Sequence, residues 1–150
     1  MSELRDLYQD IILDHGRKPR NFRIMDAASH RAEGHNPLCG DRLSLFLKIK
    51  DGVVEDLSFE GSGCAISTAS ASLLTEALQG KSEEEARELI AEFVQMATTP
   101  KDEEVEKGNL GKLSVFAGVR EFPMRVKCAT LSWHTLENAL DGQEEAAKTE

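Results

Sequence analysis

No stretch of this chain carries the ~20 consecutive apolar residues that a membrane-spanning helix needs. Its N-terminus, MSELRDLYQD, alternates charged and apolar side chains and lacks the apolar core of a secretory signal. Together these absences predict a cytoplasmic protein with no membrane partner. Positive charge is in deficit: 18 Lys and Arg stand against 27 Asp and Glu, for a net charge of −9. So acidic a chain repels phosphate backbones, which argues against a nucleic-acid partner and favours basic proteins. Even the basic patch Arg17, Lys18 and Arg20 reads as a protein-docking stretch against that background. Cysteine is scarce. The three present, Cys39, Cys64 and Cys128, include no C-x-x-C pair. Structural disulfides are not expected in a reducing compartment, so the odd count points to metal binding, catalysis or plain burial. The Ser/Ala run at 67–72 resembles no nucleophile elbow, and its serines read as packing residues.

What is present is ordinary globular material. Of 150 residues, 40% are hydrophobic and 30% charged. That length suits one domain and lets about 68–70% of the unfolded surface be buried. No internal repeat or domain boundary interrupts it. Residues 3–14 place Leu4, Leu7, Tyr8, Ile11 and Ile12 on one helical face. Residues 42–50 alternate as a half-buried strand, with Leu43, Leu45, Leu47 and Ile49 on one face. Asp51-Gly52 is a hairpin turn, and 53–60 return with Val53, Leu57 and Phe59 inward. A further strand is expected somewhere within 24–34.

A helix should start near Cys64 and stop at Gly80. Ser82 and Glu85 form a capping box for the next helix, which stops before Pro100. A short helix covers 110–118, and a last one runs from about Lys127 to Leu140, anchored in the core by Trp133. The expected fold is α+β: a three-stranded antiparallel sheet, helices packed on one face, and extra helices inserted before the last one. The chain reads as a single domain over 1–150, with 82–118 as the inserted helical segment and 141–150 as a frayed tail.

The cysteines share a kind of setting. Cys39 precedes a strand in a Pro-Leu-Cys-Gly-Asp turn, Cys64 follows Gly-Ser-Gly at a helix start, and Cys128 is expected at the start of the last helix. Helix N-termini stabilise thiolate, which is both nucleophile and metal ligand. Arg125 and Lys127 add positive charge beside Cys128. Asp41 lies two residues from Cys39 and can point the same way. Three thiolates and a carboxylate make a tetrahedral set that zinc accepts. On spacing alone, however, buried inert thiols are favoured over a shared metal site.

Four segments change that balance: Asp14-His15 with Pro19-Arg20-Asn21, Asn36-Pro37-Leu38-Cys39-Gly40-Asp41, the run from Gly61 to Ser72, and Arg125-Val126-Lys127-Cys128-Ala129-Thr130-Leu131. Over nearly its whole length the chain resembles the U-type iron–sulfur cluster assembly proteins. Within them, the IscU scaffold branch carries a histidine directly before the third cysteine, where this chain has Lys127. The SufU branch lacks that histidine and carries an insertion like the one at 82–118, so this chain is most similar to the SufU type.

The resemblance implies that the three cysteines gather at one end of the sheet and that Cys39, Asp41, Cys64 and Cys128 hold Zn2+. It implies a zinc-dependent sulfurtransferase. Such a protein takes persulfide sulfur from SufS, a pyridoxal-phosphate cysteine desulfurase, and passes it to a downstream Suf scaffold or other acceptor. Cys39, on its Gly-flanked loop, is then the sulfur-accepting, catalytic residue. Arg125 and Lys127 would line the sulfur pocket or offset charge. The competing readings are a scaffold that builds a cluster on the same cysteines, and a structural zinc domain, which the carboxylate ligand disfavours. Of the histidines, His35 is a reserve ligand should Asp41 not serve. His134 faces away from Cys128, and His15 reads as a cation at a helix C-terminus.

Overall fold

Period-two alternation builds the sheet, and tight turns fix its register. The structure, a computed structural model, describes residues 2–37, 40–104, 110–142 and 147–148; side chains are described over the same ranges except in 2–8 and 147–148. Strands β1 (His30–Asn36), β2 (Asp41–Lys50) and β3 (Val53–Ser62) form an antiparallel meander. Asp51 and Gly52 both adopt positive φ, 53° and 76°, as a two-residue hairpin turn requires. Leu43, Leu45 and Leu47 are buried on one face of β2, opposite Leu57 and Phe59 of β3.

Val53 does not join them. A register shift between Lys48 and Ile49 pairs Ile49 with Val54, so Val54 is buried and Val53 is 38% exposed. A bulge of this kind displaces the alternation by one residue, which a strict period-two reading misses.

Helices α1 (Ser2–Arg17), α2 (Ala65–Leu78), α3 (Glu83–Thr98) and α4 (Pro123–Asp141), with a 3₁₀ helix at Gly111–Glu121, complete the core. The faces expected for Leu4, Leu7 and Tyr8 lie outside the described side chains; Ile11 and Ile12 pack against the core. The capping box of α3 is present: Ser82 Oγ accepts the Glu85 N–H at 3.1 Å and Glu85 Oε1 accepts the Ser82 N–H at 3.2 Å. Trp133 is fully buried, stacks on Phe93 with ring centroids 4.3 Å apart, and donates its indole N–H to Ser70 Oγ at 3.1 Å. The core therefore holds α2, α3 and α4 together through one aromatic residue whose polar atom is satisfied.

Two boundaries differ from expectation in ways that matter. Helix α4 begins at Pro123, not near Lys127, because proline suits the first helical position, where its missing N–H costs nothing. Cys128 therefore lies in the second turn of a helix, not at its start. Within the stretch expected to fray, α4 runs on to Asp141, Gly142 caps it at φ 70°, and Ala147–Lys148 (β4) pair in parallel with Gly34 and His35 at the sheet edge. No described helix is long and apolar enough to cross a membrane.

A candidate metal centre at the open end of the sheet

The centre starts with a register pair. Asn36, the last residue of β1, faces Asp41, the first of β2, and both side chains are buried, 0% and 1% exposed. Leu43 follows Asp41 on the same inward face, so the carboxylate points toward the helices. At the far side of β2, β3 ends in Gly61-Ser62-Gly63 and hands the chain to α2. Cys64 is the N-cap of that helix: its sulfur accepts the Ser67 N–H at 3.4 Å, which satisfies one of the unpaired amides of the first turn. The Cys64 N–H in turn donates to Asp41 Oδ1 at 2.9 Å, and the Cys64 thiol lies 3.8 Å from Asp41 Oδ2.

Cys128 comes from the second turn of α4. Packing against α2 carries it in: Ser70 Oγ donates to the Ala129 carbonyl, one residue beyond Cys128, while accepting from Trp133. Cys128 is 5% exposed, whereas Cys64 is exposed.

One donor atom each from Asp41, Cys64 and Cys128 lies within 4.8 Å of the other two. A tetrahedral zinc with bonds of about 2.0–2.3 Å needs donors roughly 3.3–3.8 Å apart. The set needs only slight tightening to meet that, and the Asp41–Cys64 pair already does. Soft thiolates exclude magnesium and calcium, while zinc takes thiolate and carboxylate together. The residues present fit a zinc ion.

Cys39 lies outside the described residues. Its neighbour Gly40 is described, with φ 76° and its N–H donating to the Asn36 carbonyl at 2.8 Å.

The other sequence candidates fall elsewhere. His35 pairs with Arg42 in the register, one step from Asn36 and Asp41, and so lies on the opposite face of the sheet from Asp41. Arg125 is exposed, its guanidinium 4.3 Å above the Phe122 ring, and Lys127 is half-buried. His15 does lie in the last turn of α1, as expected, but it packs against α2 and not in solvent. It is buried at 3% exposure, its Nδ1 lies 2.7 Å from Ser72 Oγ, and burial pulls its pKa below the ordinary histidine value despite Glu76 nearby. His134 is half-buried, and its pKa is likewise lowered by burial. Two members of the centre escaped the sequence reading: Asn36, whose motif position was visible but not its burial, and Gly63, whose only trace was the Gly-Ser-Gly loop.

Residues 7–129 match the model of the NifU-like N-terminal domain. The chain belongs to that family. It is 40% identical over 144 residues to the zinc-dependent sulfurtransferase SufU of Bacillus subtilis, covering 95% of each chain. It is 39% identical over 143 residues to the iron–sulfur cluster assembly scaffold protein IscU of Streptococcus pyogenes serotype M1, covering 93% of this chain and 86% of that one. Among solved structures, the SufU-type scaffold protein for the SUF system from Fervidobacterium islandicum AW-1 superposes with a TM-score of 0.81 at 35% identity, over 87% of this chain and 94% of that one. The chain is thus a member of the iron–sulfur cluster assembly scaffold and SufU family, with a three-stranded antiparallel meander, edged by the short parallel β4, and a carboxylate–thiol cluster at one end.

Proposed function

We propose that this protein is a zinc-dependent sulfurtransferase of the SufU type, accepting persulfide sulfur from a SufS-type, pyridoxal-phosphate-dependent cysteine desulfurase and passing it to a downstream Suf scaffold or other acceptor in the cytoplasm. The observation that carries this reading is the preassembled Asp41, Cys64 and Cys128 set. Cys39, two residues before Asp41, supplies the fourth donor and the sulfur-accepting thiol. Zinc, when bound, keeps such thiols deprotonated near neutral pH.

In the transfer, the Cys39 thiolate attacks the outer sulfur of the desulfurase persulfide. The S–S bond breaks, the desulfurase cysteine leaves as thiolate, and Cys39 carries the persulfide; no external oxidant or reductant is consumed. Cys64 and Cys128 are less suited to this step, because each is built into a helix and Cys128 is buried as well. Three thiolates and a carboxylate exceed the charge of one Zn2+; Lys127, half-buried and directly before Cys128 in the sequence, is the candidate to offset the excess, while Arg125 is exposed over Phe122.

The second reading, a scaffold that assembles a cluster, is favoured by the name of the Streptococcus relative. Lys127, standing directly before Cys128, weighs against it. The test supplies desulfurase and cysteine to the full chain and maps persulfide by peptide mass spectrometry. A gain of about 32 Da, one sulfur, is expected on Cys39, and Cys39→Ala should abolish stimulation of the desulfurase. Full stimulation by Cys39→Ala, or sulfur only on Cys64 or Cys128, overturns the assignment.

A further inference from the structure

We infer that Gly63 is a positioning residue for the Asp41 carboxylate, its missing side chain being the space in which that carboxylate is held against the metal centre. The inference rests on the reading of Asp41 as a metal ligand. The carboxylate lies against the Gly63–Cys64 peptide, with Oδ1 engaged by the Cys64 N–H at 2.9 Å and Oδ2 facing the Cys64 thiol at 3.8 Å. A Cβ at residue 63 would stand 2.6 Å from Asp41 Oδ1, 3.0 Å from its Cγ and 3.3 Å from its Cβ. Its three nearest neighbours would thus all belong to one side chain.

The backbone gives no other reason for glycine here. Gly63 is not among the positive-φ glycines, so alanine could adopt its conformation. Gly61, two residues earlier, differs on both counts: its φ is 152°, and a Cβ there would meet the Arg42 carbonyl oxygen at 2.2 Å. Glycine at 61 is required by the chain itself, and glycine at 63 by the carboxylate.

Asp41 has little room to yield. Its side chain is short and 1% exposed, so an added methyl group forces the carboxylate to rotate off its seat. That rotation gives up the Cys64 N–H and carries Oδ2 away from the thiol. The centre then loses its oxygen donor, although Asp41 is still present and the sheet and α2 are untouched.

The test is a four-chain zinc-affinity cycle by chelator competition on the full protein: wild type, Gly63→Ala, Asp41→Ala and the double variant. Gly63→Ala should weaken zinc binding about as much as Asp41→Ala, by tenfold or more, the usual scale for residues that orient a ligand. In the Asp41→Ala background the same Gly63→Ala change should have no further effect, because the group it displaces is gone. Gly118→Ala, where an added Cβ meets open space, should bind zinc as wild type does. Should Gly63→Ala fail to fold, the inference requires the double variant to fold, with the affinity of Asp41→Ala. Wild-type affinity in Gly63→Ala, or a double variant well below Asp41→Ala, overturns the inference. Wild-type affinity in Asp41→Ala instead overturns the ligand reading beneath it.

Discussion

Helices α2 and α4 each bring one thiol to the same centre, yet they do so by different means. In α2 the cysteine is the N-cap, exposed, its sulfur receiving the Ser67 amide. In α4 the cysteine is inside the helix, five residues past Pro123, and buried against the core. The first thiol is set by helix-end hydrogen bonding and the second by packing, through the bond from Ser70 to the Ala129 carbonyl and the Trp133 contact. A helix start is thus no requirement for a site cysteine in this fold. What both share is the α2–α4 interface, which carries their positions relative to each other.

The largest effect that could break this comparison comes from serine at each position. Cys64→Ser and Cys128→Ser should both lose tight zinc. With zinc removed the two should part: Cys64→Ser keeps or slightly gains stability, because serine is a good N-cap, while Cys128→Ser costs about 1–2 kcal/mol for a hydroxyl buried without full compensation. Urea unfolding of the zinc-free variants reads the difference, and equal losses at both positions would mean that Cys128 is not held by packing.

A smaller effect sharpens the same contrast through the histidines. His15 of α1 sits on Ser72 of α2, and His134 belongs to α4; burial is the first cause that lowers both pKa values. A depressed histidine binds its proton less readily in the folded than in the unfolded chain. The unfolded state therefore takes up more protons below the ordinary value of about 6.5, so stability is fully present above that pH and falls as pH drops through the folded pKa values. Melting temperatures of the zinc-free protein should decline over that range. His15→Gln and His134→Gln should each remove part of the slope, and an unchanged slope in both would show that neither histidine is held neutral by the fold.

Much of this was legible in the sequence, and the failures are instructive. The β2–β3 hairpin followed from Leu43, Leu45, Leu47 and Asp51-Gly52, because alternation and turn chemistry are local. Val53 failed because a bulge is decided by the pairing partner, not by the strand's own pattern. Cys64 as a helix start is readable from Gly-Ser-Gly, but α4 starts four residues before the expected Lys127, because Pro123 serves as its first residue. The place of His15 at the end of α1 is readable, but not its burial, because Ser72, which contacts its Nδ1, lies 57 positions away. The donor set itself came from family resemblance; three isolated cysteines carry no spacing signal, and only the sheet register and the α2–α4 packing bring two of them to Asp41.

In the proposed centre, thiolates and a carboxylate gather around zinc. The direct measurement is metal analysis with zinc-edge X-ray absorption on protein purified without added metal. Such a centre gives a colourless protein with about one zinc per chain, coordinated by three sulfurs and one oxygen. A brown protein carrying stoichiometric iron and sulfide, or zinc bound through nitrogen with fewer than three sulfurs, would contradict it.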